Sequence, residues 1–150
     1  MKSEICLKVQ TTIDAPIHKV WEALVSPRII KKYFFGTEAV SDFKEGSPLI
    51  FRGKWQGKEY EDKGTILKVM KNRVFRYSYW SSMSGIENKP ENYVVITYKL
   101  TEMQDKVRLE LTQENIPDEA MKQHAEGNWR MVLKDLKRLL EKSYVKSEVL

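Results

Sequence analysis

The sequence has 150 residues, a single cysteine (Cys6), and a net charge of +5 from 26 lysine and arginine against 21 aspartate and glutamate residues. That length suits one domain, residues 1–150 with a core of about 3–142 and a tail of 143–150, able to bury roughly 68–70% of its unfolded surface. A lone cysteine excludes an internal disulfide and fits a reducing, cytoplasmic setting, and the basic excess is interleaved with acids ("GKEYEDKG", "KDLKRLLEK"), which argues against a nucleic-acid surface.

The first residues, "MKSEICLKVQ", alternate instead of running apolar, and no apolar run approaches the ~20 residues of a bilayer span, so neither a leader nor membrane insertion is expected. In "SEICLKVQTTI" the residues Ile5, Leu7, Val9, Thr11 and Ile13 share one face, the period of a half-buried strand. "DAPIHKVWEAL" changes period: Ile17, Val20, Trp21 and Leu24 make one stripe of a short helix, with Asp14 as its expected N-cap. "SPRIIKKYF" repeats the grammar, with Ser26 as cap, Pro27 at the first helical position, Ile29, Ile30, Tyr33 and Phe34 for burial, and Gly36 as the stop.

From Gly36 to Asn115 successive antiparallel strands are expected. "PLIFRGKW" places Leu49, Phe51, Gly53 and Trp55 on one face, and Gln56-Gly57 turns the chain into "KEY" as a hairpin. "GTILKVM" and "RVFRYSYW" flank a Lys71-Asn72 corner, "SSMSGIENKPEN" is a loop, and "YVVITYKL" pairs with "VRLELTQ". "IPDEAM" opens the last helix with Asp118 as cap. Met121, Ala125, Trp129, Val132, Leu133, Leu136, Leu139 and Leu140 form its buried stripe, while Gly127 projects away from it. Gly127 either softens the helix one turn before the Leu-rich half or is a tolerated surface glycine. A helix from Asp118 to Lys142 extends about 37 Å, long enough to cross the sheet. Strands that rotate by about 20° each cannot follow a straight helix everywhere, so a cavity is expected where the two diverge. The order of elements is α+β, helices on one face of an antiparallel sheet of six or seven strands.

Three stretches carry a resemblance: "IDAPIHKVWEALVSPRIIKKYF", "GTILKVMKNRVFRYSYW" and "IPDEAMKQHAEGNWRMVLKDLKRLL". Through them the chain resembles the activator of heat-shock protein 90 ATPase homologue-like family, in the START-like superfamily. The resemblance implies a helix-grip fold, a curved sheet around a long C-terminal helix with a hydrophobic cavity between them. It implies as partner a small apolar or amphipathic molecule or, as in the eukaryotic co-chaperones, a chaperone. Two departures fall at the expected pocket mouth: Asn128 precedes Trp129 where many members carry glycine, and Tyr33-Phe34 stands where many carry tryptophan.

Of catalytic or cofactor chemistry the sequence offers little. His18 and His124 lie far apart with no second ligand at helical spacing, Cys6 has no identifiable partner, and no phosphate loop or nucleophile elbow is present, so no metal, cofactor or catalytic residue is expected. Glu59, Glu61 and Asp62 fit a solvated hairpin better than an acid–base set. The aromatics are the richest signal. Phe51, Trp55, Tyr60, Tyr77, Tyr79, Tyr98 and Trp129 either line a pocket that is apolar in body with a few polar handles or simply fill the core, as Phe75 does; Trp80 alternates to the outer face. The expected function is binding of a small apolar or amphipathic ligand between sheet and helix. The alternatives are a co-chaperone-like interaction module and a cyclase- or hydrolase-type enzyme, the last requiring an acid or base inside the pocket.

Overall fold

Alternation of apolar and polar residues between two helical stretches produces one curved sheet gripping a helix. The computed structural model describes the backbone of residues 3–149 and the side chains of residues 3–142. In chain order the elements are β1 (Leu7–Ile13), α1 (Ile17–Val25), α2 (Pro27–Tyr33), β2 (Glu38–Val40), β3 (Pro48–Trp55), β4 (Lys58–Met70), β5 (Val74–Tyr79), β6 (Val94–Met103), β7 (Lys106–Glu114) and α3 (Glu119–Val149). The seven strands form an antiparallel sheet in the order β1-β7-β6-β5-β4-β3-β2. This is the helix-grip arrangement. The expected tail is helical as far as Val149, past the boundary placed at Lys142, and Leu150 lies outside the described residues.

Turn chemistry sets the register. Gln56 and Gly57 have φ of 52° and 82°, the two positive values of a type I′ hairpin, and pair Trp55 with Lys58. The same register sets Phe51 opposite Asp62 and Gly53 opposite Tyr60. Curvature arises in β4. A side chain at Gly64 would sit 1.7 Å from the Ser78 carbonyl oxygen, so only glycine lets the β4 and β5 backbones approach there. A bulge between Ile66 and Lys68 follows, bending the strand.

The core lies between the concave sheet face and the three helices. Val94, Ile96, Tyr98 and Leu100 of β6 and Val107, Leu109 and Leu111 of β7 are buried against Trp129, Val132, Leu133, Leu136 and Leu140 of α3. Trp21 of α1 is buried and meets the Phe75 ring edge-on at 6.4 Å. Asp118 caps α3, accepting the Met121 N–H at 2.8 Å.

Two expected caps differ. Pro16, not Asp14, is the N-cap of α1. Its φ of −64° and ψ of 147° hold the last extended residue, and its carbonyl accepts the Lys19 and Val20 N–H groups at 3.0 and 3.2 Å. Asp14 lies too far upstream to reach the first turn, and its own N–H donates to the Glu141 carboxylate at 2.8 Å. Ser26 does occupy the N-cap of α2, but its side chain makes no capping bond; its carbonyl accepts from Ile29 and Ile30 at 3.0 and 2.9 Å. Gly127 sits exposed in an uninterrupted helix, with no atom within 4 Å of where a Cβ would be.

Candidate functional site

The concave face closes over a core of aromatic rings. Phe51 stands 5.9 Å from Tyr77 and 5.8 Å from Tyr79, Phe75 stacks on Tyr98 at 6.3 Å, and Tyr98 meets Trp129 edge-on at 6.2 Å. Phe34, on the turn after α2, wedges between two elements, 5.7 Å from Phe51 and 5.7 Å from Trp129. Beneath it lies a cavity of about 10 Å³ lined by Leu24, Ile30, Tyr33, Phe34, Phe43, Leu49, Phe51, Phe75, Tyr77 and Tyr98. That is the bare minimum for one water, far below the ~300–1,000 Å³ of a ligand pocket. The interior is filled by its own side chains.

The phenols in this interior are neutral donors. Burial pushes Tyr33, Tyr77 and Tyr98 well above the usual tyrosine range, and the Tyr33 hydroxyl donates a hydrogen bond to the Ala23 carbonyl at 2.8 Å. Trp129 donates its indole N–H to the Gln113 side chain at 2.7 Å, anchoring its ring in one orientation.

The lid over the cavity is short and irregular. Phe35 has a φ of 54°, an outlier for a bulky side chain, and is 47% exposed. Gly36, at φ 72°, is the expected stop. Thr37 is buried; its N–H bonds the Phe34 carbonyl at 2.9 Å and its hydroxyl pairs with the Tyr60 hydroxyl at 2.5 Å. Tyr60 reaches Thr37 by lying across Gly53, where a Cβ would fall 2.4 Å from the Tyr60 hydroxyl. Gly53 therefore makes room for the Thr37–Tyr60 pair.

Of the seven residues the sequence singles out, Phe51, Tyr77 and Tyr98 line the cavity. Tyr79 and Trp129 pack against lining rings, and Tyr60 holds the lid. Trp55 stands apart, 54% exposed at the hairpin end, because β3 has run beyond the reach of the helices. Three residues in or beside the cavity wall were not among the seven: Tyr33 and Phe34 line it, and Asp62 pairs across the sheet with the lining Phe51. Tyr33 and Phe34 carried a signal, as the place where this chain departs from the family pattern. Asp62 was expected in solvent but is 6% exposed; the hairpin register set it opposite Phe51, on the inner face.

A larger open groove of about 610 Å³ lies at the β6–β7 turn, lined by Asp14, Ala15, Pro16, Ile17, Glu102, Gln104, Asp105, Lys106 and Val107. It lacks the apolar body of a small-molecule site. Among the described residues no group of three or more His, Cys, Asp or Glu side chains could hold a metal ion, and no helix is long and apolar enough to cross a membrane.

The model of the family described as activator of Hsp90 ATPase homolog 1-like protein matches residues 14–141. The chain belongs to this family. It is 48% identical to a protein of Cytophaga hutchinsonii whose solution structure superposes with a TM-score of 0.82, covering 95% of this chain and 98% of that one. It is 27% identical to CalU16 from Micromonospora echinospora, at a TM-score of 0.69 over 89% and 73% of the two chains. The Aha1 dimer of Colwellia psychrerythraea, 18% identical with a TM-score of 0.73 over 91% and 96%, shares the fold. No functionally curated protein matches the sequence. Family and fold together support a ligand-binding or co-chaperone-like module.

Proposed function

We propose that this protein binds a small apolar or amphipathic molecule between the sheet and α3, in space that opens when Phe34 swings out. The supporting observation is the position of Phe34. The ring that fills the interior between Phe51 and Trp129 belongs to a turn, next to the strained Phe35. Displacing one half-buried ring widens the 10 Å³ cavity at the expense of the Thr37–Tyr60 pair, while the strands and α3 keep their packing. Affinity would come from apolar area removed from water, about 25 cal/mol per Å² before association costs. A cytoplasmic location fits the exposed, unpaired Cys6.

Native mass spectrometry of freshly purified protein, with titration by an uncharged naphthylamine dye, tests the proposal. A retained apolar molecule, or a saturable one-to-one dye complex competed by alkanols, is expected. Purely linear, non-saturable dye partitioning with no retained mass would overturn it.

A second reading follows the family's description as an ATPase activator homologue: docking to an acidic surface of a partner protein by the opposite face. Lys63, Lys68, Lys99 and Arg108 stand exposed on the convex side, outside the ion pairs that hold Lys8, Arg52 and Arg76 to Glu110, Glu61 and Glu114. On this reading, charge reversal at Lys99 and Arg108 should abolish stimulation of a chaperone ATPase and leave dye binding intact.

A further inference from the structure

β4 alternates Tyr60, Asp62, Gly64 and Ile66 onto the concave face, so an acid occupies a position that the fold otherwise gives to apolar groups. Asp62 is 6% exposed, and aspartate is almost never this buried unless its charge is paired. None of the ion pairs within 4 Å among the described residues involves it. Its partners are neutral donors. The Tyr79 hydroxyl donates to Oδ2, and the Ser82 N–H and hydroxyl donate to Oδ1 at 2.9 and 3.1 Å. Tyr79 stays protonated for this purpose, because burial and then the neighbouring Asp62 charge push its phenol well above the usual range.

A carboxylate offers about four acceptor positions. Three are filled, which leaves one on Oδ2, and among the described residues no cationic side chain lies within 4 Å of the group. The group adjoins the cavity wall: Asp62 pairs across the sheet with Phe51, and the Tyr79 ring lies 5.8 Å from the Phe51 ring. An ammonium head would supply what is missing, a positive charge with three N–H donors. A carboxylate head would meet like charge.

We propose that Asp62 and Tyr79 form the head-group site of the pocket and select an apolar molecule bearing a primary ammonium head. This rests on the reading that the interior opens beneath Phe34. The ligand class is thus a fatty or aryl-alkyl amine and not a fatty acid.

The test uses three probes of one tail length, decylamine, decanol and decanoate, titrated calorimetrically at neutral pH below micelle-forming concentrations. Wild-type protein should bind decylamine tighter than decanoate by roughly tenfold or more, the scale of one hydrogen bond to a charged group, with decanol between them. Asp62→Asn, which keeps the size of the side chain and an oxygen for Ser82, should bring the three affinities together, with decylamine losing the most. Tyr79→Phe should weaken the preference in part. Equal affinity of wild-type protein for all three heads would overturn the head-group site and leave the apolar pocket standing. Failure of every probe, decanol included, to bind wild-type protein and Phe34→Ala alike would overturn both. Should Asp62→Asn fail to fold by circular dichroism, the wild-type ranking alone decides, and a decanoate preference sinks the proposal.

Discussion

Phe34→Ala separates a gate from a core residue. A buried aromatic removes about 150–250 Å² from water; Phe34 is half-buried, so truncation forfeits on the order of 2–3 kcal/mol of apolar burial. The two inward ring contacts, at 5.7 Å each to Phe51 and Trp129, add about 0.5–1.5 kcal/mol apiece. Relaxation of the exposed turn offsets some of this, which places the loss near 3 kcal/mol, at the low end for Phe→Ala. For a domain of this size that lowers Tm by about 6–12 °C. A gate should behave differently from a core residue when ligand is present. Association of the naphthylamine dye, followed by stopped flow, should accelerate in Phe34→Ala, because the step that clears the ring has gone. Saturating decanol should then restore part of the lost stability, by about 2.7 kcal/mol at a hundredfold excess over Kd. A loss near 3 kcal/mol with unchanged association kinetics would show that Phe34 is core and that the interior opens elsewhere or not at all.

Gly127→Ala should raise stability by about 0.4–1 kcal/mol, since its helical position is exposed and a Cβ meets nothing; thermal denaturation reads this, and dye association should be unchanged. Trp21→Ala should cost about 3–5 kcal/mol in urea denaturation, because the ring is buried against Phe75. Glu141 is held below its usual carboxylate range: burial opposes ionisation, but hydrogen bonds from the Lys137 ammonium and the Asp14 N–H outweigh it. Its contribution is therefore present above the unfolded-state carboxylate pKa and is lost as pH falls through the lower folded value. Glu141→Gln should cost no more than about 1 kcal/mol at pH 7, and the two denaturation curves should converge on acidification.

Fold and site were not equally legible in the sequence. Periodicity placed all three helices and every strand but β2, because alternation and the 3.6-residue stripe are direct consequences of one buried face; the three residues Glu38–Val40 are too short to show a period, and β4 read as two pieces, "KEY" and "GTILKVM", where the chain forms one strand from Lys58 to Met70. The Gln56-Gly57 hairpin followed from two residues that accept positive φ. What periodicity could not supply was which aromatic reaches which. Trp55 shares a face with Phe51 yet stands in solvent, since face alone says nothing of where the covering helix ends. Phe34 belonged to the expected burial stripe of α2, but its role depends on the turn that carries it, which runs through the positive φ of Phe35. Asp62 was within reach of inference. A two-residue hairpin fixes its register opposite Phe51, and compositional preference for solvated acids concealed a position that pairing had already determined.

The filled interior also decides which element can give way. Swinging the N-terminal half of α3 aside would expose Trp129 and Val132 and strain the packing of Leu133, each buried side chain worth about 1.5–3 kcal/mol, and would break the Trp129–Gln113 hydrogen bond. Moving the turn at residues 34–37 disturbs one half-buried ring, the Thr37–Tyr60 pair and a backbone bond between Thr37 and Phe34. The turn already holds Phe35 in a left-handed conformation, costing on the order of 1–3 kcal/mol that opening can release. Both routes would admit a ligand beside the same rings, but the second asks for the loss of fewer buried groups and returns stored strain. Under the proposed reading, the four-residue turn between α2 and β2 is therefore the element that moves, while α3 with its exposed Gly127 is the fixed wall.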